Sequence, residues 1–201
     1  MARPLSATVA AMDETSIRPA QVIILNGVGS VGKSSTARAL QAIAARPFLH
    51  LSMDVFLDML PAAMFGHPDG LVFETLDEGG KPSVAIHSGS VVDRALSGMR
   101  HAIAAMAAAG NSLIVDDVMI EPGEELEYRA LLTGFDVRLV GLYAPLEVLE
   151  ARERGRGDRE IGLARWQYDR VHRGRAYDLE IDTSARTPAA CAAMIREAFD
   201  L

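Results

Sequence analysis

Short apolar runs alternate with longer stretches of helical period along this chain, the pattern of an α/β protein with a mainly parallel sheet. The first run, Val22-Ile23-Ile24-Leu25-Asn26, is apolar almost throughout, as expected of a central strand covered on both faces. The pattern then predicts a helix over 34–45, a strand over 48–53 and a short helix over 55–60. A helix is expected from Ser90, with Asp93 three positions on as its capping partner. Its apolar stripe is Val92, Leu96, Met99, Ile103 and Met106, and Gly110 closes it. Ser112-Leu113-Ile114-Val115-Asp116-Asp117 reads as a buried strand ending in two carboxylates. Pro122 opens a helix to about 132, a strand follows over 137–142, and another helix starts near 146. A fifth strand falls at 179–181, and Thr187-Pro188 opens a last helix.

Residues 61–89 break this rhythm. Pro61, Pro68 and Pro82 and the glycines at 66, 70, 79, 80 and 89 interrupt it, leaving Leu71-Val72-Phe73 and Val84-Ala85-Ile86 as candidate short strands. A long irregular insertion inside a compact domain is more often functional than decorative.

With 201 residues, the chain is read as one large domain over 21–201 after a loose N-terminal extension over 1–20. The net charge of −7 argues against a nucleic-acid surface. No apolar run approaches a membrane span, and Asp13 and Glu14 stand where a signal peptide needs an apolar stretch, so cytoplasm is the default location. Cys191 sits among alanines as a small buried residue, and the five histidines match no zinc spacing.

Gly27-Val28-Gly29-Ser30-Val31-Gly32-Lys33-Ser34 matches G-x-x-x-x-G-K-[ST], with Ser35 following in the first helical turn. Glycines let the backbone curl so that N–H groups point at phosphate oxygens, and the helix that begins there adds its positive end. Lys33 can reach the β- and γ-phosphates, and the Ser34 hydroxyl can bind Mg²⁺. The motif stands between a buried-type strand and a helix, the context it requires. The elements and the motif together predict a three-layer P-loop NTPase fold, about five mainly parallel strands flanked by helices.

Three further groups stand where strands end. Asp54 follows the second strand, either as a carboxylate facing the γ-phosphate or as the N-cap of the next helix; Asp58, one turn on, is its competitor. Asp116 and Asp117 end the third strand as a metal-holding acid would, and alternation allows only one to face the loop; Asp116 is the first choice, the other reading being a carboxylate that caps local backbone. Arg152, Arg154, Arg156 and Arg159, interleaved with Gly155 and Gly157, suggest a lid over about 152–162 that brings guanidinium groups to phosphates. The alternative is a solvated helical face with pairs such as Glu150–Arg154. Trp166, Tyr168 and Tyr177 are read as packing.

These residues together resemble the chloramphenicol phosphotransferase family, small kinases of the nucleotide-kinase type. The resemblance runs from about 22 to 184 through Ile23-Ile24-Leu25-Asn26-Gly27, Gly32-Lys33-Ser34, Asp54 with Met59-Leu60-Pro61, Ile114-Val115-Asp116-Asp117-Val118, Arg156-Gly157-Asp158-Arg159 and Tyr177-Asp178-Leu179-Glu180-Ile181-Asp182-Thr183. It implies transfer of phosphate from ATP, with Mg²⁺, to a hydroxyl of a small-molecule substrate. It also implies that Asp54 is the general base and that Arg152, Arg156 and Arg159 are the lid arginines. Two departures bear on the acceptor: Val28, Gly29 and Val31 replace the Gly, Ser and Ala expected in the loop, and residues 65–91 match only in outline. A sugar-nucleotide kinase of the zeta-toxin type and a regulatory ATP-binding module are the competing readings. The oligomeric state is open, a homo-oligomer included.

Overall fold

The computed structural model describes residues 19–157 and 160–201. The expected extension therefore lies almost wholly outside the described residues, as do Asp158 and Arg159.

Five strands form one parallel sheet: β1 (Gln21–Asn26), β2 (Phe48–Ser52), β5 (Ser112–Asp117), β6 (Asp136–Tyr143) and β7 (Leu179–Asp182), in the order β2-β5-β1-β6-β7. The hydropathy explains the order. Strands β1 and β5 lie inside and are covered on both faces, and their inner residues divide between two cores according to the two-residue period. Ile23, Leu25, Ile114, Val140 and Leu142 enter one core, shared with α1 (Lys33–Ile43), α5 (Leu146–Arg156) and α7 (Pro188–Phe199). Val22, Ile24, Leu113, Val115 and Leu139 enter the other, under α3 (Ser90–Ala108) and α4 (Pro122–Leu131). Cys191 is buried in the first core, as its alanine neighbours suggested. No helix among the described residues is long and apolar enough to cross a membrane.

Helix α2 (Met53–Leu57) starts two residues earlier than the sequence pattern predicts, directly from β2, and Pro61 begins a single 3₁₀ turn over Ala62–Met64. Asp54 is therefore not the N-cap: Ser52 holds that position, and Asp54 lies in the first turn, where a carboxylate favours the positive helix end. The Ser90–Asp93 capping pair is also absent. Gly89 precedes α3 without a side-chain cap, and the Ser90 hydroxyl donates to Asp69 instead, at 3.2 Å.

The insertion is better ordered than its breakers suggest. β3 (Leu71–Glu78) and β4 (Lys81–Ser88) form a full antiparallel hairpin, in register from Leu71↔Ser88 to Glu78↔Lys81. Gly79 and Gly80, both at positive φ, make the two-residue turn that matches strand twist. A further helix, α6 (Leu163–Tyr168), packs against this hairpin and has no counterpart in the predicted elements.

Candidate active site

The chain leaves β1 at Asn26, enters the glycine-rich loop and re-forms as α1 at Lys33. A Cβ on Gly27 would stand 2.6 Å from the Leu142 carbonyl oxygen, so only glycine fits there. Ser30 (φ 65°) and Gly32 (φ 103°) take left-handed conformations that fold the loop back on itself. The first intrahelical bond runs from Thr36 N to Gly32 O at 2.9 Å. The amides of this first turn point toward the open end of the helix, as in any α-helix. Two other loop amides are committed: Val31 N bonds Val28 O at 3.3 Å, and Gly29 N bonds the Gln167 Oε1 at 2.7 Å.

Lys33 is buried, its Nζ 2.8 Å from Gly27 O, 3.2 Å from Val28 O and 3.9 Å from Asp116 Oδ1. Ser34 donates its hydroxyl to Asp116 Oδ2 at 2.5 Å. Asp116 also faces His50 of β2, whose Nε2 lies 3.8 Å from the same oxygen and is buried without a hydrogen-bond partner among the described residues. Burial pushes the Asp116 carboxyl up, but His50, Lys33 and Ser34 together outweigh it and hold its pKa below the ordinary value. Asp117, one residue on, points through the sheet the other way. Tyr128 O–H and Val118 N–H donate to it, both at 2.7 Å, and burial raises its pKa.

Asp54 is carried to the same end of the sheet. The β2–β5 ladder pairs Ser52 with Asp116, and Asp54 follows two residues later, half-buried. Asp58, the sequence-level competitor, is exposed at the end of α2.

The arginines divide. Residues 152–156 are not loop but the last turn of α5, which runs through Gly155 and closes at Gly157 with φ 70°. Arg152 is turned inward, donating to Thr183 Oγ1 (3.0 Å), Thr183 O (2.7 Å) and Val31 O (3.4 Å). It holds the back of the loop against the end of β7. Arg154 and Arg156 lie at the exposed end of the helix, and Arg159 is outside the described residues. Glu150 pairs with Arg165 of α6 and not with Arg154. Glu153, 2% exposed, faces inward and accepts from Gly162 N and Ala164 N, each at 2.8 Å.

Behind the loop lies a polar lattice that periodicity gave no means of finding. Asn26, fully buried, donates to Val171 O (3.0 Å) and Tyr177 Oη (2.7 Å) and accepts from Met119 N (2.9 Å). Tyr177 reaches His172 Nδ1 at 2.8 Å, and the His172 ring stacks on Tyr143 with centroids 3.8 Å apart. Burial, with the positive charges of Lys33 and Arg175, lowers the His172 pKa to about 4, so the ring is neutral and can accept from Tyr177. Tyr177 is thus packing, as expected, but hydrogen-bonded packing. The one sequence-level sign was Asn26 itself, a polar residue closing an otherwise apolar strand.

A phosphate-binding loop at the head of α1, faced by an acid from the end of a neighbouring parallel strand, is the working part of a P-loop kinase. The chain belongs to the chloramphenicol phosphotransferase-like protein family, whose model matches residues 20–200. The Mycobacterium tuberculosis protein named "Putative O-phosphotransferase Rv2636" is 30% identical over 184 residues, 89% of this chain and 82% of that one. Among solved structures, a sugar kinase from Janibacter sp. HTCC2649 is similar with a TM-score of 0.63 and 18% identity, covering 90% of this chain and 95% of its own. The Mycobacterium tuberculosis APS kinase CysC, solved in complex with AMPPNP and APS, is similar with a TM-score of 0.63 and 16% identity over 91% of this chain and 99% of its own. Both structures share the fold.

Proposed function

We propose that this protein transfers the γ-phosphoryl group of ATP to a hydroxyl of a small-molecule acceptor, with Asp54 as the base. The observation that carries the reading is the meeting of Ser34, Lys33 and Asp116 at the mouth of the loop, with Asp54 two residues beyond the strand position paired to Asp116.

The donor set suits a magnesium nucleotide. Ser34 Oγ and the Asp116 carboxylate are hard oxygen ligands, and the low pKa of Asp116 keeps it ionised at neutral pH. Among the described residues no group of three or more His, Cys, Asp or Glu could hold a metal alone, which suits an ion that takes its other ligands from phosphate and water. Bound Mg²⁺ supplies neutralisation of charge on the phosphates.

Backbone amides of the loop between Gly27 and Gly32, apart from those of Gly29 and Val31 already bonded to Gln167 and Val28, join those of Lys33, Ser34 and Ser35 in cradling the phosphates. Lys33, resting on the Gly27 and Val28 carbonyls, exchanges them for the stronger charge-assisted bond to phosphate oxygen. Asp54 accepts the proton of the acceptor hydroxyl as its oxygen bonds to the γ-phosphorus; the bond to the β-bridging oxygen breaks, and ADP leaves with that electron pair. Arg152 steadies the loop through Val31 and Thr183, while Arg156 and Arg159 offer charge to the transferring group.

Incubation with γ-labelled ATP and a panel of hydroxylated compounds, chloramphenicol among them, tests the proposal. Label on a small molecule supports it and identifies the acceptor. Label found only in inorganic phosphate favours a regulatory ATPase module, and label on a sugar nucleotide the toxin-type kinase.

A further inference from the structure

Gln167 belongs to none of the motifs in the sequence, yet its side chain reaches the phosphate loop. It lies on α6, is 5% exposed, and its Oε1 accepts the Gly29 N–H at 2.7 Å across 138 residues of chain. Gly29 is the middle of the loop, ahead of the left-handed turn at Ser30, so this one bond sets the direction of the peptide that leads into that turn.

The helix that carries Gln167 is itself held from two sides. Glu153 of α5 receives the amides of Gly162 and Ala164, each at 2.8 Å, a buried carboxylate fastening the first turn of α6. On the hairpin side Val84 N donates to Gly162 O at 3.1 Å. There the contact is tight enough that a Cβ on Gly162, already at φ +111°, would stand 2.8 Å from Pro82 O. Strand β4, α5 and the loop are therefore joined through one short helix, and Gln167 supplies its side-chain hydrogen bond to the loop.

We propose that Gln167 is a positioning residue for the nucleotide: it holds the Gly29 peptide in the conformation that leaves the rest of the loop ready for phosphate. This rests on the nucleotide-binding reading given above. The physical reason is pre-organisation. A buried N–H deprived of its acceptor turns to find another, and a loop that spends only a tenth of its time in the competent shape binds tenfold more weakly. Glutamine suits the position because its oxygen accepts without bringing negative charge to a phosphate site.

The test compares Mg·ATP affinity by calorimetry, steady-state kinetics with the acceptor found in the panel, and melting temperature without nucleotide, in the wild type, Gln167→Leu and Gln167→Glu. Gln167→Leu should raise both Kd and KM for ATP about tenfold while kcat stays within about threefold. Gln167→Glu keeps an acceptor for Gly29 and should melt like the wild type, but bind ATP more weakly by a margin that shrinks as salt is added. ATP affinity unchanged in a folded Gln167→Leu overturns the proposal, as does a kcat loss at constant KM. Should Gln167→Leu not fold, Gln167→Met, of similar length and without the acceptor oxygen, decides on the same readouts. Wild-type protein that binds no ATP would instead overturn the underlying kinase reading.

Discussion

Ser34 and Asp116 meet at 2.5 Å, joining the first turn of α1 to the last residues of β5. The next residue, Asp117, is bonded to Tyr128 on the opposite side of the sheet. Two adjacent carboxylates thus have separate surroundings, one beside an amine, a hydroxyl and an imidazole, the other enclosed with a phenol. Alternation of side chains along a strand separates them, and a register slip of one residue would exchange their roles.

Their asparagine variants should therefore differ in kind. Asp116→Asn is expected to raise the magnesium concentration needed for half-maximal rate by at least the roughly 10–100-fold that changing a group bonded to a metal's ligands costs in affinity. Asp117→Asn should keep activity within a few-fold, because the change removes a carboxyl whose ionised form burial already disfavours. Magnesium titrations of initial rate on both variants check this. Equal losses would mean that the orientation at the end of β5 does not govern the chemistry.

Removing the proposed base should leave nucleotide binding alone. Asp54→Asn is expected to lower kcat by about 10²–10⁴-fold, with ATP affinity changed by no more than about twofold, whereas Asp58→Asn stays near the wild type. Near-normal turnover in Asp54→Asn would remove that residue from the mechanism.

Two glycine-to-alanine changes should shift stability in opposite directions. At Gly27 the new methyl meets the Leu142 carbonyl at 2.6 Å, and the strain of overpacking costs about 1–3 kcal/mol. At Gly98, exposed in the interior of α3 with nothing within 4 Å, alanine should add about 0.5–1 kcal/mol by favouring the helix. Urea denaturation measures both.

The pH dependence of stability should show Glu124. Burial first, then repulsion from Asp117, raises its pKa from 4.5 to about 7. The folded state therefore binds more protons than the unfolded chain between those values, and this group's contribution to stability falls as pH rises through that window. Glu124→Gln should abolish that part of the slope, worth on the order of 2–3 kcal/mol between pH 5 and 8, while its amide oxygen can still serve the Glu121 N–H of the capping box. Identical denaturation midpoints against pH in variant and wild type would show that Glu124 stays ionised in the fold.

The sheet was legible because its code is short-range. Val22 to Leu25 and Leu113 to Val115 are apolar on both faces, and only a central strand buries both. The hairpin was legible only at its apolar ends. Glu74, Thr75, Asp77, Lys81 and Pro82 hide the rest of two eight-residue strands, whose pairing is decided by the Gly79-Gly80 turn. Helix α6 escaped notice because its six residues are too few for a helical period to emerge, and the carboxylate that caps it belongs to α5.

By itself the sequence determined the phosphate loop, since what that loop requires is local: glycines where the backbone must curl, a lysine and a hydroxyl at fixed offsets, a strand before and a helix after. Only the tertiary structure decided which of two neighbouring aspartates faces the loop, that Arg152 grips Thr183 and Val31, and that Gln167 holds Gly29. Each of those relations joins residues dozens to more than a hundred positions apart, and such contacts arise only when strand register and helix packing bring the two ends together in space.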